Sequence, residues 1–351
     1  MIISESTEIS EGEKAYRAIL RQSVISTNPE AMRLVRKVGE KIARVANKPN
    51  YKWEFTVIDD PEMANAFAVP GGKVAVYTGI FPAAMDEAGL AVVLGHEVAH
   101  ALARHGAERM SQSQLLQIPA LVGAGMGVDS GLLQAYGLGA AFGIILPFSR
   151  SQELEADRIG LRFMAQAGYD PRVSLELWKR MEKQAAAKGQ GAPPGFMSTH
   201  PGYEKRTQQL RAWIPDALKF YRASRSAPEP LPSLQALDSP QAVAERALVK
   251  KIATVNQQSG DQRRAEAMVR ALEYRIRGNW SELVQEINQL RVSVGEYAAL
   301  KGTSYLGRSS MVRIVNGYRS NVSWSEITRR EGVQITDLLS FMTDLMRLQA
   351  R

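Results

Sequence analysis

GLAVVLGHEVAHALARH, residues 89–105, carries the reading on which the rest of the chain depends. Two histidines four residues apart on a helix share one face, so the rings of His96 and His100 can reach one ion. Glu97 follows His96 and projects beside that ion rather than onto it, where it can take a proton from water on the metal. A helix with two incidental histidines is the competing reading of so short a motif. The surroundings weigh against it. His96, Glu97 and His100 are polar groups in an apolar segment bound for the interior, and buried polar groups need partners, which a metal supplies.

A third ligand is required. The chain has four histidines (His96, His100, His105 and His200) and no cysteine, so thiolate sites and disulfides are excluded. His105 lies five residues after His100, which on a continuous helix is roughly 140° around the axis; it is read as structural. Glu153-Leu154-Glu155-Ala156-Asp157 is the better source. Glu153 and Asp157 share a helical face, so Glu153 can bind the metal while Asp157 orients a ligand imidazole. Glu155 points elsewhere, toward solvent or a salt bridge. An ordinary charged helix is the alternative for this stretch.

Outward from these motifs, residues 11–47 read as two helices, the second opening at Asn28-Pro29-Glu30. Residues 52–59, 64–69 and 73–78 read as strands, the last two joined by the Pro70-Gly71-Gly72 turn. Helices are expected over 86–110, 151–167, 171–188 and 203–222, with a Gly/Pro-rich loop over 189–202. The fold class is therefore mainly α with a small β-sheet, an α+β architecture. Residues 118–148 carry one charged side chain, Asp129, and are broken by glycines. They are read as an apolar helical hairpin packed on the core or touching a membrane surface, in preference to a span. The start of the chain lacks the basic and apolar regions of a signal peptide. The Pro/Ser-rich run 224–240 marks a boundary: a peptidase domain over 1–222, a linker over 223–240 and a helical C-terminal domain over 241–351.

The order HEVAHALARH, a Gly/Ala-rich apolar segment, then SRSQELEADRIGLRFMAQAGYDP resembles metallopeptidase family forty-eight, and within it the soluble BepA/Oma-like branch. NAFAVPGGKVAVYTG and STHPGYEKR resemble that family's segments before and after the active-site helix. The resemblance spans about residues 10–215, and four motifs in order make it specific. It implies a gluzincin of mostly helical, zincin-like fold, with Zn2+ held by His96, His100 and Glu153, Glu97 as base and Asp157 behind the ligands. It also implies that His200 and Arg206 lie near the site, and that the enzyme serves protein quality control in the periplasm or cell envelope, acting on misfolded or membrane-linked proteins.

The expected activity is hydrolysis of internal peptide bonds in protein or peptide substrates. His200 either fills the open metal position as a latch or, like Arg206, stabilises the oxyanion. Asn65, Ala66 and Phe67 are read as an exposed sheet edge that pairs with an extended peptide. A peptide-binding holdase or scaffold with latent proteolysis is the alternative. The net charge of +8 falls mostly after residue 210, where 21 Lys and Arg face 14 Asp and Glu. A helix–Gly turn–helix outline from Trp324 to Met342 occurs in DNA readers. Its second helix, however, carries Asp337 and Asp344 and no basic residue before Arg347, so nucleic acid is disfavoured and a protein-interaction or regulatory module preferred.

Overall fold

A computed structural model describes residues 4–108, 148–188, 196–200, 204–222, 226–320 and 322–349. The expected hairpin over 118–148 falls, but for Phe148, outside the described residues, as does most of the 189–202 loop. The chain packs as two units. One holds residues 4–19, 25–108 and 148–237; the other holds 20–24 and 238–349.

The first unit opens with α1 (Glu5–Arg21) and α2 (Pro29–Ala46). The side chain of Asn28 caps α2 by accepting from the backbone N–H of Glu30 and Ala31, and Pro29 needs no such partner. Leu34, Val35, Val38 and Ile42 form its buried stripe. Strands β1 (Glu54–Ile58), β2 (Ala66–Val69) and β3 (Lys73–Tyr77) follow, in the order β1-β3-β2. β3 runs parallel to β1 and antiparallel to β2. Gly71 and Gly72 turn the β2–β3 hairpin at φ of +90° and +88°, a region closed to most side chains.

After a 3-10 turn and the short α3 (Phe81–Ala84), Asp86 caps α4 (Glu87–Leu102). Nearly every residue of α4 is buried, the two motif histidines and Glu97 included. Helix α4 is shorter than the helix expected over 86–110. It ends at Ala103, and Arg104 takes a left-handed φ of +60°. Arg104 donates from Nε to the buried Glu8 Oε2 at 2.8 Å, which holds this turn against α1.

Helix α5 (Arg150–Gln166) starts in a capping box made by Ser149 and Gln152. It crosses α4 where two glycines meet. A Cβ on Gly160 would stand 2.9 Å from His96 N and 3.0 Å from Gly95 C, and one on Gly95 would stand 2.9 Å from Gly160 O. All of these neighbours are backbone and cannot move aside cheaply. The crossing therefore sets the helix separation at which carboxylates of α5 reach rings of α4. Helices α6 (Val173–Lys188), α7 (Phe196–Thr199), α8 (Glu204–Leu218) and α9 (Leu234–Leu237) complete the unit.

Residues 226–237, expected within a linker, instead pack on this unit. Glu87 N donates to Glu229 O and Leu231 N to Met85 O, and Leu231 and Leu237 are buried in its core. The second unit is helical throughout its described part: α10 (Pro240–Gln258), α11 (Gln262–Ile276), α12 (Trp280–Leu290), α13 (Val294–Gly307), α14 (Met311–Arg319), α15 (Trp324–Arg330) and α16 (Ile335–Gln349). Leu248, Tyr297, Leu300, Phe341, Met342 and Leu345 centre its own core. No helix among the described residues is long and apolar enough to cross a membrane.

Gly160→Ala gains up to about 1 kcal/mol of helix propensity but drives a methyl into backbone, and overpacking costs about 1–3 kcal/mol. A net loss of stability is expected in urea unfolding; unchanged or raised stability contradicts the close crossing.

Candidate metal centre

The crossing of α4 and α5 brings His96, His100 and Glu153 together, and His200 joins them from the segment after α7. One donor atom from each of the four lies within 4.8 Å of the others, and all four residues are buried. His96 Nε2 stands 3.0 Å from His100 Nε2 and 3.5 Å from Glu153 Oε2. His100 Nε2 stands 3.4 Å from Glu153 Oε1. His200 Nδ1 lies 3.2 Å from His96 Nε2 and 2.9 Å from Glu153 Oε1. Tetrahedral ligands held at zinc distances lie roughly 3.3 Å apart. The observed separations scatter around that figure, so the four donors fit one tetrahedral ion. Two or three imidazoles with one carboxylate and no thiolate is a donor set suited to zinc.

The carboxylates place negative charge where water is excluded. Burial acts to raise the Glu153 pKa, but His200, His100 and His96 outweigh it and hold the carboxyl far below its usual range. Asp157 is likewise opposed by burial and still lowered, by Arg206 and His96. Burial opposes a proton on His96 as well, yet Asp157 and Glu153 raise its pKa to about 9. Burial pushes His100 down, so its ring stays neutral. The cluster demands positive charge at its centre, for which a ring proton and a metal ion are alternatives.

Around this cluster, His96 Nδ1 lies 2.9 Å from Asp157 Oδ1, which leaves Nε2 as the free donor toward the centre. Arg206 is 1% exposed and donates to both Asp157 oxygens, from Nε at 2.5 Å and Nη2 at 2.8 Å. Its Nη1 lies 2.8 Å from Glu153 Oε2 and donates to His200 O at 3.2 Å. Trp178 stacks on the guanidinium at 3.7 Å. Arg206 thus stands behind the four donors, bracing the carboxylates. Glu97 is pushed up in pKa by burial, and its Oε1 lies 3.3 Å from His200 Nε2. Oε1 of Glu97 is buried without a well-aligned hydrogen bond, and Oε2 of Glu153 is held chiefly by the Arg206 ion pair. Buried acceptors left with spare capacity in this way are what a site shaped for a cation leaves behind.

A model of the family described as "Peptidase family M48" matches residues 29–214. The chain belongs to peptidase family M48. The match includes His96, His100, Glu153, His200 and Arg206. The mitochondrial metalloendopeptidase OMA1 of Schizosaccharomyces pombe is 43% identical over 202 residues, covering 57% of this chain and 58% of that protein. The human metalloendopeptidase OMA1 is 35% identical over 176 residues, 48% of this chain and 33% of that protein. The beta-barrel assembly-enhancing protease of Yersinia pestis is 28% identical over 246 residues, 66% and 47% respectively. This M48 chain spans about half the length of the curated relatives it matches.

The structure brings His96, Glu97, His100, Glu153, Asp157, His200 and Arg206 into one cluster. The edge strand differs from expectation. β2 does lie at the sheet edge, but Ala66, Phe67 and Ala68 are all buried. Asn65 O accepts from Tyr77 N at 2.9 Å, so in the alternating ladder Asn65 and Phe67 face β3 and Ala66 and Ala68 face outward. The Ala68 N–H meets the Glu97 carboxylate, the Ala66 N–H donates to Asn65 Oδ1, and Phe196 N donates to Ala64 O. The edge is therefore covered rather than open. Sequence reasoning missed Trp178 and also Phe148, whose ring stacks on His100 at 4.0 Å. Trp178 sits on an amphipathic helix, where an aromatic reads as ordinary core.

Glu153→Ala removes the one ligand that α5 contributes. Zinc in the purified protein, measured by elemental analysis, is expected to fall from about one ion per chain toward none, whereas retained stoichiometry contradicts the assignment. Asp157→Asn is expected to weaken zinc binding by about 10–100-fold in chelator competition.

Proposed function

We propose that the chain is a zinc-dependent endopeptidase that cleaves unfolded or membrane-associated proteins. The observation that carries this reading is the convergence of His96, His100 and Glu153 on one point with Glu97 alongside. The relatives' names, metalloendopeptidase and protease, support it. When bound by His96, His100 and Glu153, zinc supplies Lewis acidity toward water and toward a peptide carbonyl.

The protein's own groups do the rest. Glu97 accepts the proton of the attacking water and returns it to the leaving amine. Its burial raises its basicity, as a general base requires. Arg206 and His96 keep Asp157 ionised, so that Asp157 holds the His96 ring in the tautomer with a free Nε2. The outward carbonyls of Ala66 and Ala68 would accept from an extended substrate, and their N–H groups would have to exchange Asn65 Oδ1 and Glu97 for it, with Asn65 and Phe67 fixing the strand to β3. Recognition through backbone favours unfolded chains over a particular side-chain sequence.

His200 favours a latch over an oxyanion donor. Its Nδ1 stands as a fourth donor beside His96 and Glu153 while its Nε2 faces Glu97. Phe196, in the same short segment, bonds beside the substrate edge. Movement of residues 196–200 would then free the metal position, the base and the Ala64 carbonyl beside the edge together. An envelope location is part of this reading, supported by one relative named as mitochondrial and another for beta-barrel assembly. For the second unit we infer an interaction or regulatory role. Arg329 and Arg330 are paired with Glu326, and Asp337 is exposed at the start of α16.

Casein hydrolysis tests both parts. Glu97→Gln is expected to keep zinc and lose about 10²–10⁴-fold in rate, and chelator is expected to abolish the wild-type activity. No hydrolysis by either zinc-loaded wild type or His200→Ala, or Glu97→Gln with wild-type rate, contradicts the proposal. His200→Ala is expected to raise the rate; a fall assigns His200 to catalysis instead.

A further inference from the structure

His96 and His100 both present Nε2 to the centre, and a ring that does so must carry its proton on Nδ1. Asp157 receives that proton for His96, at 2.9 Å. The corresponding partner of His100 is not a carboxylate. His100 Nδ1 lies 2.8 Å from Nδ1 of His105, and His105 Nε2 lies 3.3 Å from Glu155 Oε2. His105 is buried at 2% exposure, while the Glu155 side chain is 59% exposed. On a continuous helix His105 would face away from His100. The left-handed Arg104 breaks α4 and returns the ring, with Glu8 bonded to Arg104 to hold the turn.

We propose that His105, set by Glu155, is a positioning residue that fixes the tautomer and orientation of His100 for metal binding. The relay has one consistent proton assignment. Glu155 accepts from His105 Nε2–H, which leaves His105 Nδ1 as an acceptor. That nitrogen accepts from His100 Nδ1–H, which leaves the His100 Nε2 lone pair directed at the centre. If His105 held its proton on Nδ1, two N–H groups would face each other at 2.8 Å or His100 would lose its free Nε2. Phe148 stacks on the His100 ring, so stacking and the bond to His105 hold the ring on the Nδ1 side, away from the centre. The inference rests on the reading of His96, His100 and Glu153 as a metal centre.

The test uses the full chain, zinc as probe and chelator competition as readout. His105→Phe fills the space without an acceptor, and His105→Asn restores an acceptor oxygen near the Nδ1 position. His105→Phe is expected to weaken zinc binding by about 10–100-fold, and His105→Asn to stay within about threefold of wild type. Equal zinc affinity in wild type and His105→Phe overturns the inference. So does equal weakening by the two variants, which would mean packing alone. Imidazole nitrogen-15 NMR of the zinc-loaded wild type reads the relay without any substitution at the core. His105 is expected as the Nε2–H tautomer, and an Nδ1–H tautomer overturns the inference. Glu155→Ala, at an exposed position, is expected to dissolve that single tautomer and weaken zinc binding by less than His105→Phe. A wild type that binds no zinc refutes the metal centre itself, a result distinct from all of these.

Discussion

Charge balance in a dry interior governs this molecule. Glu97, Glu153 and Asp157 are buried within one cluster, and among the described residues Arg206 is the one buried guanidinium beside them. Isolated carboxylates cannot be taken out of water without partners. With neutral imidazoles, one guanidinium and one divalent ion bring three ionised carboxylates to zero. A proton on His96 goes part of the way, which accounts for its raised pKa. The metal in this reading is therefore a structural partner of α4 and α5 as well as a reagent, and its binding energy adds to folding energy.

Everything that positions the cluster acts on the distance between those two helices. Gly95 and Gly160 let their backbones touch, which puts Glu153 and Asp157, one turn apart on α5, within reach of the α4 rings. Arg206 ties the α5 carboxylates to the carbonyl of His200, so the segment bearing the fourth donor is anchored to the same helix. The edge strand meets the site through Ala68 and Glu97. Base, ligands and proposed substrate edge are thus one mechanical unit, and Phe196 and His200 cover two parts of it together.

Much of the candidate cluster was legible because helical spacing encodes it locally. Four residues separate His96 from His100 and Glu153 from Asp157, and the only further step was to pair the two helices. His105 was misjudged because one left-handed residue, Arg104, reverses the direction expected of a continuous helix, and a non-glycine at positive φ leaves no sequence signal. The strand at 66–69 was legible, but its burial was not, since the Ala68 N–H meets Glu97 of α4 and the preceding Ala64 carbonyl accepts from Phe196, both distant in the chain. Proline and serine marked residues 226–237 as linker, while Leu231 and Leu237 among them had enough apolar surface to join the core. Gly95 and Gly160 give no sign in the sequence of their role, which exists only once one helix is packed against the other.

The central claim is that one ion is held jointly by two rings of α4 and a carboxylate of α5. Crystals of the zinc-loaded protein, with anomalous diffraction collected on both sides of the zinc absorption edge, test it most directly. The account predicts an edge-dependent peak within about 2.0–2.2 Å of His96 Nε2, His100 Nε2 and a Glu153 oxygen. A peak elsewhere, or a loaded protein in which Glu153 does not touch the ion, would contradict it.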